Sequence, residues 1–468
     1  MSTPPASPLS PSASAAVVKP LWRTFFAFLG PMVLSNMLQS MSGTVNGIYI
    51  GQMLGVGAAA AASTFFPLMF FFIAFIIGLG AGSSVLIGQA WGAKKIARVQ
   101  AVAGTTLTLG LILGLTVAVV GSLITEPLLR TLGTPADIFQ DAATYAHVMW
   151  IAIPGLFLFL LMTSMLRGVG DTISPLLALL LSTGVGLLVT PALIRGWFGL
   201  PQLGLASAAW ATTIAYLVAM VWLILRLRTK LYLGQKHPMA PDAELLRHLR
   251  VDPAIVKAVL RIGIPTGLQM VVISLAEIAL LSMVNSYGSQ ATAAYGAVNQ
   301  VVNYVQFPAI SIAITSSILG AQAIGAGKPE RLGAILRTGL LMNVVLTGSL
   351  VLVGYLFSRH LVSLFINNDA VVELAQTLLH TMLWSSIVLG MAGVVAAVMR
   401  ASGTVLVPTA ISICCILGVE VPVAWLMSQQ MGLNGIWLAY PAAFISMLIL
   451  QSTYYRLVWR KKPIKKLI

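Results

Sequence analysis

Two stretches far apart in this chain carry nearly the same string of small and polar residues. That repetition limits the available folds more than any other feature. SSVLIGQAWGAKKIARV at 83–99 lies over SSILGAQAIGAGKPERL at 316–332, an offset of 233 in a chain of 468 residues. In this register Gln89 meets Gln322, Gly92 meets Gly325 and Arg98 meets Arg331. The same offset sets MLRGVGDTISP (165–175) over VMRASGTVLVP (398–408), pairing Arg167 with Arg400, Gly170 with Gly403 and Pro175 with Pro408. Gly55 also meets Gly288, and Pro31 meets Pro265 after a slip of one residue. Chance produces one such match, not several in one register. The chain is two tandem copies of one unit.

What each copy can be follows from its solvent. Hydrophobic residues make up 58% of the sequence, charged residues 8%, and the mean hydropathy is +0.94. A soluble domain carries roughly 25% charge, so a water-facing surface is excluded. Apolar runs broken by charge, Gly or Pro predict six helices in the first copy, near 24–52, 59–90, 98–124, 140–166, 173–194 and 204–227. Six more follow near 255–284, 291–324, 331–357, 371–399, 405–429 and 434–458. Each exceeds the roughly 20 apolar residues that span a bilayer, and none alternates in the short segments of a membrane barrel. The second and eighth helices are overlong, which implies tilt or extension past the bilayer. The fold class is an all-α polytopic membrane protein, twelve spans in two six-helix lobes. With an even number of spans per copy, both run the same way, related by a pseudo-two-fold along the membrane normal.

A net charge of +15 would suggest nucleic acid in a soluble protein. Here it marks orientation. All but Arg130, Arg195 and Arg359 of the 27 Lys and Arg fall on one side of the predicted membrane, so both termini and the central loop are expected in the cytoplasm. The expected organisation is a disordered Pro/Ser/Ala-rich tail at 1–23, a first lobe at 24–227, a basic linker at 228–252, a second lobe at 253–458 and a basic tail at 459–468. No cleavable signal peptide is expected, since the first residues lack a basic segment before an apolar core. The adjacent Cys414 and Cys415 point away from each other on one helix and are not placed to bridge.

A first span running into YIGQMLG, followed by GLGAGSSVLIGQAWGAKK, resembles the multidrug and toxic compound extrusion (MATE) family. LRGVGDTISP after the fourth span and YGSQATAAYGAVNQ after the seventh fit the same pattern, and the resemblance runs from about residue 20 to 458. It implies a twelve-helix antiporter that exports cationic or amphipathic compounds against a Na⁺ or H⁺ gradient.

The residues themselves offer a place for coupling. Carboxylates inside a span are costly and usually serve ion or substrate handling. Of twelve acids only Glu277, in the seventh helix, and Glu420, in the eleventh, lie well inside. They stand 11 and 12 residues before Gly288 and Gly432, so at about 1.5 Å per residue they share a depth. Such a pair in one cavity is suited to proton exchange or to holding Na⁺ jointly; the plainer alternative is a neutral carboxyl bonded to one neighbour. Polar stripes accompany them. Asn36, Gln39, Ser42 and Asn46 recur on one face of the first helix, Gln269 and Glu277 on the seventh, and Asn299, Asn303 and Gln306 on the eighth. Each amide alone could serve ordinary interhelical bonding; three stripes favour a wet central cavity. The first copy places Phe65, Phe66, Phe70, Phe71, Phe72 and Phe75 where the eighth helix is polar. Such a face suits flat cations, or simply packs or meets lipid.

Against the family pattern, the acid often found late in the first helix is replaced by Asn46, and Thr190 stands before the fifth-helix Pro191. Two further expected acids fall on Ile273 and Leu389, with Glu277 one turn beyond the first. Glu277 and Glu420 are therefore the expected ion-coupling pair, with Thr190 and the stripe residues lining the cavity. Arg167, Arg400, Gln89 and Gln322 are expected to bond exposed helix carbonyls, and the five histidines to be ordinary interfacial residues. No HExxH, nucleotide-binding loop or paired-cysteine metal spacing occurs, so neither an enzyme nor a cofactor is expected beyond H⁺ or Na⁺ as coupling ion. A small-molecule substrate and membrane lipid are the expected partners of a monomer, without nucleic acid, in a bacterial inner membrane. The alternative is a flippase-like exporter of a lipid-linked or other endogenous metabolite, weakened because no mid-span Lys or Arg is predicted.

Overall fold

A computed structural model describes residues 20–468; most of the expected N-terminal tail, with Lys19, lies outside the described residues. The first copy forms α1 (Leu21–Tyr49), α2 (Val56–Gly92), α3 (Ile96–Thr131), α4 (Phe139–Val169), α5 (Ile173–Arg195) and α6 (Ala206–Thr229). The second forms α7 (Pro253–Asn285), α8 (Ser289–Gly325), α9 (Pro329–Leu356), α10 (Asp369–Ala401), α11 (Leu406–Met431) and α12 (Leu433–Lys461). Eleven of these are long and apolar enough to cross a bilayer on composition alone. The twelfth span, α1, falls short because its 29 residues include the Asn36–Asn46 polar stripe. The overlong helices are real: α2 and α8 each run 37 residues, roughly 55 Å at the usual rise.

Local chemistry sets the ends. Asp252 caps α7 by accepting from the Ala254 N–H at 3.0 Å, with Pro253 at the first helical position, where its missing N–H costs nothing. The turns α1–α2 and α7–α8 pivot on Gly55 (φ 94°) and Gly288 (φ 102°), the pair that the repeat register aligned. Both need the left-handed region that side chains avoid.

The two lobes meet on the face that carries most of the basic loops. There α2 packs on α4 in its own lobe and on α7 in the other. Phe25, Phe28, Leu29 and Met32, from the first half of α1, join the second lobe's core around Ile312, Ile335 and Val398. The contact is reciprocal and needs glycine. A Cβ on Gly92 would overlap the Gln322 carbonyl, and one on Gly325 would overlap the Gln89 carbonyl. The side chains cross over as well: Gln89 Nε2 donates to the Ala401 carbonyl at 2.8 Å, and Gln322 Nε2 to the Gly168 carbonyl at 3.0 Å. Both glutamines thus bond helix-end carbonyls, as expected, but those of the opposite lobe. Towards the other face α1 leaves this contact, and Gly43, Gly47 and Gly51 have no atoms within reach of an added Cβ. The lobes form a V, closed at the basic face.

The linker is not a free tether. It makes a hairpin pairing Leu231–Tyr232 with Gln235–Lys236, then one helical turn at Ala243–Arg247, and both dock on the first lobe. Tyr232 donates to the Val169 carbonyl at 3.2 Å, and Met239 and Leu245 are buried in that lobe's core. The apolar residues scattered among its charges explain the docking. His237, expected at an ordinary interface, is instead buried with its Nε2 3.4 Å from Asp171 Oδ2. The Met239 N–H donates to His237 Nδ1 at 3.1 Å, which turns Nε2 towards the carboxylate. Burial alone would raise the Asp171 carboxyl; contacts from His237 and Ser174 outweigh it and hold the group below its ordinary value. Burial, then the Asp171 charge, push the Tyr232 hydroxyl up to about 12, so it stays a neutral donor.

Candidate functional site

Within the second lobe α7, α8, α10, α11 and α12 enclose a cavity of about 480 Å³. Helical periodicity puts Gln269 and Glu277, two turns apart, on its wall from α7, and Asn299, Asn303 and Gln306 from α8. Glu420 reaches the same cavity from α11, where Ile416–Glu420 widen into a π-turn just before Pro422. Such a bulge, together with a proline that cannot donate, loosens the backbone where a side chain must be re-aimed. The two carboxyls differ in access. Glu277 is exposed towards the cavity, whereas Glu420 is 5% exposed and sits deeper. They are near enough for the charge of Glu277 to act on Glu420.

Two tyrosines complete the polar cluster. The Tyr295 and Tyr440 hydroxyls lie 2.5 Å apart, within the field of both glutamates. Tyr295 also stacks on Trp437 with ring centroids 5.9 Å apart, which fixes its hydroxyl. Neither tyrosine figured in the sequence reading. Tyr295 was detectable, since it precedes Asn299 by one helical turn and shares its face; Tyr440 carries no such signal. Met270, Met382, Met447 and Phe444 supply adaptable apolar wall.

Arg400 departs from expectation. It lines this cavity, and its buried Nε has no hydrogen-bond partner. It lies at the end of α10, and Glu420 lies 14 residues along α11 from Leu406, roughly 20 Å along the helix. The cavity therefore runs from a cationic end near the basic face to an acidic part farther from it.

The first-lobe residues are not brought to this cavity. Asn36 Nδ2 donates across the seam to Ser311 Oγ at 3.1 Å, which is interhelical bonding. Gln39 is exposed, Ser42 and Asn46 are half-buried on the diverging part of α1, and Thr190 is buried in α5. The phenylalanines divide. Phe65 and Phe72 pack edge-on against Trp150, at centroid distances of 4.9 and 6.1 Å, while Phe66 is 66% exposed. Among the described residues no group of His, Cys, Asp and Glu could hold a metal ion.

Two lobes related by an axis along the membrane normal, meeting at one face and parted at the other, with acids inside one of them, have the architecture of a membrane transporter. The MatE family model matches residues 31–192 and 265–426, once in each copy, and the chain belongs to that family of multidrug efflux transporters. It is 45% identical to the probable multidrug resistance protein YoeA of Bacillus subtilis, over 96% of both chains. In fold it is similar to the bent form of the Vibrio cholerae MATE transporter VcmN, with a TM-score of 0.84 and 22% identity over 94% of this chain and 97% of that one. An outward-facing multidrug resistance MATE transporter matches equally, with a TM-score of 0.84 and 22% identity over 93% and 95%.

Proposed function

We propose that this chain is a monomeric secondary antiporter of the bacterial inner membrane. It exports cationic or amphipathic small molecules by alternating access, coupled to inward H⁺ or Na⁺, with both termini in the cytoplasm. The observation that carries this reading is the placement of Glu277 and Glu420 on one cavity, one accessible and one buried. A cation entering from the outside meets Glu277 first, and the methionines and aromatics beside it suit a flat, greasy cation. Competition between ion and substrate for the same carboxyls couples their movements: each displaces the other, and the emptied site is the one that must refill. The charge asymmetry of the loops supports this orientation, in which the closed end of the V faces the cytoplasm. The name of the B. subtilis relative supports the substrate class.

The test is ethidium efflux in proteoliposomes under separately imposed Na⁺ and H⁺ gradients. One gradient should drive efflux, and Glu277→Gln should abolish that drive while the protein still folds and inserts. Unchanged gradient-driven efflux in this variant would remove Glu277 from the mechanism.

A further inference from the structure

A second cavity, of about 810 Å³, opens at the basic face, on the far side of the seam from the acidic one. Both lobes build it. Lys94 comes from the α2–α3 turn, Lys236 from the linker hairpin, Lys328 from the α8–α9 turn and Arg331 from the first turn of α9. No Asp or Glu lines it, and Lys236 is already paired with Asp242 at 2.5 Å. Lys94, Lys328 and Arg331 are exposed and make no ion pair among the described residues. Glu330 adjoins Arg331 but is exposed and outside the wall. Leu21 and Ile335 make part of an apolar wall, and α1 continues outward from there through Trp22 and Phe26, both about half exposed.

The repeat sharpens what this cavity is for. Its pseudo-symmetric counterpart lies beside Gln89, where the C-terminal tail folds back: the Leu467 N–H donates to Gln89 Oε1 at 2.8 Å, and its side chain packs on Gly403. Beside Gln322 the equivalent segment is the linker hairpin, which stops short and leaves the cavity open with Tyr232 and Trp91 at its edge. The turns differ too. Lys94 adopts φ 57° where its repeat partner, Gly327 (φ 73°), meets no steric cost. One side of the seam is filled by chain; the other holds unpaired cations over an apolar wall.

We infer that this inter-lobe cavity binds an acidic phospholipid, the phosphate on Lys94, Lys328 and Arg331 and the acyl chains along Leu21 and Ile335. Because both lobes contribute, the site is intact only while the basic face is closed, and the bound lipid favours that state. This does not depend on which ion or substrate the acidic cavity handles.

The test uses the full chain in neutral detergent, titrated separately with dioleoylphosphatidylglycerol, dioleoylphosphatidylcholine and glycerol 3-phosphate, reading Tm and binding by native mass spectrometry. Phosphatidylglycerol should bind and raise Tm, phosphatidylcholine should do neither, and glycerol 3-phosphate should have little effect at the same concentration. Removing each cation should weaken binding about fivefold, so K94A/K328A/R331A should nearly abolish it. The control K95A/K461A/K462A, with equal charge loss away from the wall, should keep it. An equal response to phosphatidylcholine, an equal response to glycerol 3-phosphate, or full binding by K94A/K328A/R331A would each overturn the proposal. Should that variant fold poorly, K94Q alone serves, expected to lose about fivefold while K95Q does not. Spin labels at Lys95 and Glu330 should report a narrower, shorter distance with phosphatidylglycerol; no change would overturn the coupling to the closed state.

Discussion

The two lobes share a scaffold and differ in what fills it. Counting back by the repeat offset puts Phe66 and Phe70 where Asn299 and Asn303 line the second lobe's cavity. In the first lobe the same helix packs aromatics against Trp150, and its span carboxyls, Glu126 and Asp141, lie near helix ends; in the second, Thr266, Gln269, Glu277, Asn299, Asn303 and Gln306 of α7 and α8 share a cavity with Glu420. Backbone geometry has been kept, as the paired positive-φ glycines show, while side-chain chemistry has diverged. A duplicated fold thus separates two requirements: lobe symmetry makes the closed seam, and lobe asymmetry makes the acidic cavity.

The sharpest way to break this contrast is to neutralise acids in one lobe and polar groups in the other. Glu277→Gln and Glu420→Gln should each bring gradient-driven ethidium efflux to background, whereas Asn46→Ala and Thr190→Ala should leave most of it. Equal losses on both sides would mean that the first lobe shares the ion chemistry. Next, Asn303→Phe installs the first lobe's residue in the cavity. Filling that space should weaken substrate binding by about 5- to 150-fold, from overpacking of roughly 1–3 kcal/mol, while Phe70→Asn should not create a second site. A smaller effect is expected at the seam. Gly325→Leu forces a side chain into the Gln89 backbone at a cost of about 1–3 kcal/mol, so the basic face should open. A Thr315→Cys reporter, buried against Met32, should then react faster with a maleimide. Smallest is Asp171→Asn, expected to cost about 1 kcal/mol at neutral pH by weakening the linker's dock. Because the folded-state carboxyl sits below its ordinary value, this contribution is present above that value, near 3.8, and lost as pH falls through the lowered one. Thermal melts of wild type and variant should therefore converge only in strong acid.

Much of this was legible from residues. Spans and the repeat register follow from helix geometry, which is local and periodic. The α8 amides fell on the cavity for the same reason. What escaped depended on tertiary placement. The α1 stripe has the same spacing as the α8 stripe, yet one turns to the seam and the diverging cleft while the other turns inward; period alone does not choose between polar destinations. Arg400 sits at a helix end in sequence, and only the packing of α10 against α8 and α12 makes that end a cavity wall. The linker's polarity concealed Met239 and Leu245, which dock it, and His237 gave no sign of Asp171, 66 positions earlier.

The reciprocal crossing of Gln89 over Ala401 and Gln322 over Gly168 has the form of an isologous interface, in which one patch recognises its own copy. Two identical six-helix chains could make that seam as a homodimer, but every substitution would then appear twice. Joining the copies through residues 228–252 frees each to mutate alone. The deep carboxyls can then be placed on one side only, while the seam keeps its symmetric form.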